Sequence, residues 1–278
     1  MKSLMTKLPQ ITYALLAVFL LVLLSRGYGD TTRMLIAGSV VMFACCWASA
    51  AQLLGTRAAL RFVIIGVVVG WFAEQMGATQ GWFFGSYTYT DVLGPRLGAV
   101  PVIIPLMWFA LSYVAYIIAN LIVWQTPSDG AAPLPQMLAM SLLAAMIVTA
   151  YDLGADPYMV YTLKAWIMTK TDGWWFGETL QGFAGWALVS FVIVLLFRLS
   201  VRSQPPQASL PVARPHMLVP LAIYGANMLF QMAMGTPVET RTIALFAMGI
   251  PLLAAVCGFS RWQAQAALRL VQTERVAA

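Results

Sequence analysis

The chain has 278 residues, 61% hydrophobic and only 9% charged, with 16 basic against 10 acidic residues and a formal net charge of +6. A mean hydropathy of +0.80 excludes an aqueous globule of this size and reads as a polytopic integral membrane protein. The basic residues are scattered and not interleaved with aromatics, which excludes a nucleic-acid surface and makes the charge a signal of topology and lipid headgroups.

A hydrocarbon core of about 30 Å takes roughly 20 apolar residues per crossing. Runs of that kind lie near residues 9–25, 34–54, 60–77, 98–124, 134–153, 183–200, 217–234 and 242–260. They predict about eight transmembrane helices in a single all-α transmembrane domain over residues 1–278. The first run follows Lys2 and Lys7 as a signal peptide would, but Ser25-Arg26-Gly27-Tyr28 offers no small-x-small cleavage site, so it counts as a span.

An even number of crossings puts both termini on one side. Lys2, Lys7, Arg57, Arg61, Arg198, Arg202, Arg214, Arg261, Arg269 and Arg275 then share that side, and Arg26, Arg33, Arg96, Lys164, Lys170 and Arg241 take the other. Ten against six favours cytoplasmic termini in the cell (inner) membrane under the positive-inside rule.

The first two helices, joined through Gly27-Tyr28-Gly29-Asp30, carry no acid in their apolar runs and read as scaffold. The third brings Trp71, Glu74 and Gln75 toward the non-cytoplasmic face, with Trp71 beside Glu74 on the helix surface. An ionisable group near the end of an apolar run is costly, which makes Glu74 a functional candidate. Residues 78–98 hold Gly81, Gly85, Gly94, Pro95 and Gly98 among Trp82, Phe83, Phe84, Tyr87 and Tyr89. Helix breakers mixed with interface-seeking rings predict a re-entrant or surface-lying segment. Pro101 and Pro105 are expected to bend the start of the fourth helix, ahead of Trp108.

After a loop over Thr126–Pro135, the fifth helix ends in Thr149-Ala150-Tyr151-Asp152-Leu153-Gly154-Ala155-Asp156-Pro157. Gly173-Trp174-Trp175-Phe176-Gly177 then echoes Gly81-Trp82-Phe83-Phe84-Gly85, a sign of a degenerate repeat. Helices three and five both run outward, so Glu74, Asp91, Asp152, Asp156, Asp172 and Glu178 arrive at one membrane face. For the loop acids Asp91, Asp172 and Glu178 solvation competes with catalysis. The seventh helix carries Tyr224, Asn227 and Gln231 as a polar stripe, read either as substrate contacts or as hydrogen bonds between packed helices.

Cys45, Cys46 and Cys257 fall inside spans and read as buried thiols, while His216, in a Pro-rich connection over 203–216, reads as a solvated loop residue. With one histidine, no CxxC and no HExxH, neither a metal site nor a cofactor is expected.

Carboxyls among rings and hydrocarbon disfavour their charged form, so a close pair supplies an acid and a base together. Such an acid can protonate an isolated carbon–carbon double bond, ring faces can stabilise the cation, and a carboxylate can take a proton from the water that adds. The inventory therefore suits hydration or isomerisation of an isoprenoid dissolved in the bilayer.

The segments Gly85-Ser86-Tyr87-Thr88-Tyr89, Gly98 through Trp108, Asp152-Leu153-Gly154-Ala155-Asp156-Pro157 and Gly177 through Trp186 resemble the CruF-type carotenoid 1,2-hydratases, integral membrane proteins of carotenoid biosynthesis. The resemblance covers roughly residues 70–190, with departures at Lys164, Thr179 and Gly182. It implies addition of water across the terminal 1,2 double bond of an acyclic carotenoid end group, giving a tertiary 1-hydroxy carotenoid without a redox cofactor. Lipid-soluble carotenoid, water and membrane lipid would be the partners. On this reading Glu74 and Asp152 form the acid–base pair and Asp91 or Asp156 orients water. Trp71, Trp82, Phe84, Tyr87, Tyr89, Trp108, Trp174, Trp175, Asn227 and Gln231 would surround the polyene end. The rivals are a UbiA-type prenyltransferase, using Asp152-x-x-x-Asp156 to hold Mg²⁺ but lacking a second acidic motif, and a proton-coupled transporter.

Overall fold

The computed structural model describes residues 2–26, 28, 31–126, 132–202 and 213–277. Parts of the three connections named above, at 27 and 29–30, 127–131 and 203–212, lie outside the described residues.

The fold is an all-α membrane bundle. Among the described residues, seven helices are long and apolar enough to cross a membrane, over Lys7–Ser25, Thr32–Leu53, Thr56–Gln80, Ile103–Val123, Leu134–Thr162, Leu180–Val201 and Glu239–Trp262, and a shorter apolar helix covers Leu218–Met234. In chain order they belong to α1 (Lys2–Ser25), α2 (Thr31–Leu53), α3 (Thr56–Gln80), α4 (Ile103–Val123), α5 (Leu134–Pro157), α6 (Leu180–Val201), the one-turn α7 (Ala213–His216), α8 (Leu218–Met234) and α9 (Glu239–Ala277). A helix that is apolar all round belongs in the interior. That helix is α4, buried at every position from Trp108 to Leu121 and packed against α2, α3, α5 and α9.

Gly66 and Gly70 let α3 come close to α4. A Cβ at Gly70 would lie 2.6 Å from the Trp108 side chain, and one at Gly66 2.8 Å from the Phe109 backbone. This small-xxx-small approach replaces the hydrophobic drive that helices lack in lipid.

The segment after α3 is built from turns and short strands. α3 runs to Gln80 and stops at Gly81 in the left-handed conformation, φ 70°. The chain then forms β1 (Tyr87–Tyr89), a 3-10 turn at Asp91–Leu93, and a short hairpin of β2 (Arg96–Leu97) and β3 (Val100–Pro101). Pro101 is therefore in a strand, and α4 starts five residues later than the apolar run, with Pro105 in its first turn where a missing N–H is tolerated. Beyond α5 a π-helical turn, Tyr158–Thr162, leads to β4 (Trp166–Met168). β1 and β4 pair antiparallel, Tyr87 opposite Met168 and Tyr89 opposite Trp166, so the two loops close over one end of the bundle as a single cap.

The aromatic echo is not a structural repeat. Gly81–Gly85 precedes its strand, whereas Gly173–Gly177 follows β4. Positive φ falls on the third residue of the first motif (Phe83) and on the fourth of the second (Phe176).

Two further expectations change. His216 is not a solvated loop residue: it is 4% exposed and stacks on Tyr13 with ring centroids 4.9 Å apart. Cys45 and Cys46 are buried, but Cys257 faces outward from α9.

Candidate functional site

Glu74 stands near the end of α3, buried among three donors. The Trp108 indole N–H donates to Oε1 at 2.9 Å, and the Tyr87 and Tyr89 hydroxyls donate to Oε2 at 2.5 and 2.7 Å. Each donor has a structural origin. Trp108 is admitted by Gly70, and the two-residue period of β1 turns Tyr87 and Tyr89 to the same inward face while Thr88 points out. Burial first, then the Glu74 carboxyl, push both phenols above their ordinary range, which keeps them as O–H donors. An indole nitrogen can only donate, so Glu74 is built as an acceptor.

Across the cavity, Asp152 and Asp156 share one face of α5 at a spacing of four. Asp152 is 1% exposed, and its Oδ2 has no hydrogen-bond partner among the described residues. Asp156 faces Glu178 and Trp166. Two neighbouring carboxyls kept from water hold a proton between them. Glu178 lies outside the spans, between the aromatic turn and α6; burial, reinforced by Asp156 and then Asp152, pushes its carboxyl up to about 12. It is 2% exposed, and its Oε1 also lacks a partner among the described residues. Bridges Gly173 to Gly177 and Trp175 to Glu178, with the Tyr161 hydroxyl donating to the Phe176 carbonyl, fold this turn inward.

Glu74, Asp152, Asp156 and Glu178 line one cavity of about 110 Å³, against the roughly 10–15 Å³ that a single water occupies on the same measure. Phe84, Trp108, Trp166 and Trp186 form aromatic walls beside the acids. An apolar arm continues past Phe19, Leu35 and Leu111 to Met42, eleven residues into α2 and so roughly 16 Å along it. The acids sit at the capped end of the cavity, and the rest is lined mainly by hydrocarbon side chains, with Arg26, Ser39 and Asn227 among them.

Of the residues given a catalytic or substrate-binding role in the sequence, Glu74, Asp152, Asp156, Phe84, Tyr87, Tyr89, Trp108 and Asn227 line this cavity. The others do not. Asp91 is fully exposed and paired with Arg96 at 2.9 Å, because Thr90 is tied to the Lys164 and Ala165 carbonyls and turns the next residue outward. Trp71 leans away and donates to the Leu97 carbonyl at 3.1 Å. Trp82 and Trp174 are exposed, the latter to 79%, at the tips of their turns. Trp175 donates to the Leu153 carbonyl at 3.1 Å, outside the cavity wall. Gln231 donates to the Tyr151 carbonyl at 3.0 Å and Tyr224 to the Ile147 carbonyl at 2.9 Å, so these two members of the polar stripe bind α8 to α5.

Trp166, Trp186 and Arg26 also line the wall without having been assigned to the site from the sequence, and Glu178, for which solvation competed with catalysis, joins them there. Glu178 and Trp186 belong to a quoted motif, but the inward fold of that motif depends on the β1–β4 pairing, which leaves no local signature.

A family model described as "Carotenoid biosynthesis protein" matches residues 29–256. The chain is similar to the bisanhydrobacterioruberin hydratase of Haloarcula japonica, 34% identical over 146 residues, which are 52% of this chain and 46% of the relative. The match thus spans less than half of that relative's length. No solved structure matches the chain.

Proposed function

Because the chain belongs to the carotenoid biosynthesis protein family, we propose that its cavity hydrates the terminal 1,2 double bond of an acyclic carotenoid end group. The observation that carries this reading is the meeting of four buried carboxyls with ring-walled, apolar space inside a membrane bundle. The named activity of the Haloarcula relative supports it.

Glu74 and Asp152 remain the acid–base pair, and the geometry favours one division of labour. Asp152, next to the proton-sharing Asp156 and Glu178, gives a proton to C2 of the alkene and leaves a tertiary cation at C1. The faces of Phe84, Trp108 and Trp186 stabilise that cation. Water bonds to C1, and its surplus proton passes to Glu74, which three donors already hold as an acceptor. Asp156 and Glu178 then restore the proton on Asp152, and Glu74 gives the proton it took from water back to that pair through the shared cavity, which returns every carboxyl to its starting state. The sum is one alkene and one water consumed and one tertiary alcohol formed, with no electron transferred and no cofactor required. We place this end of the bundle on the non-cytoplasmic side, with both termini in the cytoplasm.

Expression in a host that makes lycopene or γ-carotene, followed by mass analysis of the pigments, tests the reading. Pigments gaining one water are expected, and Glu74→Gln and Asp152→Asn should each abolish the gain. Unchanged pigments from the wild-type chain across several acyclic carotenoids would overturn it.

A further inference from the structure

Beside the acid cavity lies a second chamber of about 20 Å³, bounded by Phe230, Gln231 and Gly235 and sharing Tyr151, Ala155 and Asn227 with the larger space. Gly235 ends α8 immediately before the exposed Thr236, so the chamber stands between a surface turn and the acids.

Its chemistry differs from that of the apolar arm. Arg26, Asn227 and Gln231 all line the chamber, with the Gln231 amide nitrogen fixed on the Tyr151 carbonyl and its Oε1 set against Gly154, where an added Cβ would lie 2.4 Å away. The chamber exceeds the roughly 10–15 Å³ that one water needs, and enclosed space of this size with polar walls holds water, whereas apolar cavities stay dry. On the other side of the shared wall, Asp152 Oδ2 is unpartnered among the described residues. Once a carotenoid end fills the acid cavity, its polyene blocks the hydrocarbon approach, and water needs another way in.

We infer that this chamber is the water site of the hydration: it fills from the turn at Gly235, holds a water among the Arg26, Asn227 and Gln231 side chains that line it, and passes it across Ala155 to the cation at C1. The inference rests on the proposed hydration, and it divides the site into a lipid entrance and a separate water entrance. The captured water supplies both electrons of the new C–O bond and loses one proton to Glu74. When capture fails, the cation returns a proton from a carbon next to C1 to the carboxyl and re-forms an alkene.

Two measurements test it. In the substrate-free protein in detergent, hydroxyl-radical footprinting should label the buried Tyr158 of the chamber wall, and Gln231→Leu should lower that labelling at least threefold. An unlabelled wild-type Tyr158 shows a dry chamber and overturns the inference whatever the enzyme does. In D₂O, Gln231→Leu and Ala155→Val should raise the ratio of deuterium exchanged into recovered alkene to alcohol formed by about tenfold or more. Exchange and hydration that fall in parallel, or do not change, would show that water arrives elsewhere. Absence of both reactions in the wild-type chain would instead overturn the hydration reading, while the footprint still decides whether the chamber holds water.

Discussion

Trp108 and Glu74 lie on different helices, and the indole N–H of one meets Oε1 of the other at 2.9 Å. The same ring lies tilted against Trp186 with centroids 4.4 Å apart, so one residue both orients a carboxyl and walls the cavity. Trp108→Phe separates the roles, keeping a ring and removing the donor. A hydrogen bond to a charged group contributes about 1.5–3 kcal/mol. Lost from the transition state, that corresponds to roughly a ten- to hundredfold fall in kcat. Turnover in isolated membranes should show this drop with little change in KM, and an undiminished kcat would remove Trp108 from the chemistry.

Gly70 bears on the same contact from the other side. Its missing Cβ would stand 2.6 Å from the Cβ and ring of Trp108, too close for the tryptophan to stay where it is. Overpacking of this kind costs about 1–3 kcal/mol. Gly70→Ala should therefore lower the apparent melting temperature in detergent and the activity together. A Gly70→Ala protein with normal stability and turnover would mean that α3 and α4 do not need this close approach.

The bundle was legible because hydropathy needs only the local run of residues, and Glu74 and Asp152 stood out because a carboxyl near the end of such a run has no inexpensive explanation. The parity of the helices then placed both at one face. What local reading could not supply was the cap. Whether an acid in a loop is bathed in water or folded over a cavity depends on the pairing of β1 with β4, from segments about eighty residues apart. Asp91 and Glu178 look alike in the sequence and end in opposite surroundings: one is fully exposed beside Arg96, the other buried against Asp156. The aromatics divide in the same way. Trp82 and Trp174 occupy turn tips, while Tyr87 and Tyr89 gain their inward direction from strand alternation.

That contrast yields a prediction for Asp91. Its pair with Arg96 is solvated, and exposed ion pairs contribute little. Asp91→Asn should keep hydration within about twofold of wild type and leave its pH profile unmoved. A loss comparable to that of Asp152→Asn, measured by pigment mass in the same host, would return Asp91 to the site.

Glu178 gives the opposite expectation, and its pH dependence has a definite sign. Its folded carboxyl is held up to about 12, against an ordinary value near 4.5 in the unfolded chain. Between those values the native state carries a proton that the unfolded state has released. Its contribution to stability is therefore fully present below the unfolded value and is lost as pH rises toward the folded one. Glu178→Gln keeps a neutral group of the same shape, able to donate a hydrogen bond to Asp156, and removes this linkage. The apparent melting temperature of the wild-type protein in detergent should fall more steeply from pH 6 to pH 10 than that of Glu178→Gln. Hydration by the variant should drop about a hundredfold, since an amide can fill the contact but cannot pass on the proton that Asp152 must regain. Parallel melting curves would show that Glu178 titrates alike in both states. A fully active Glu178→Gln would place the proton supply on Asp156 alone.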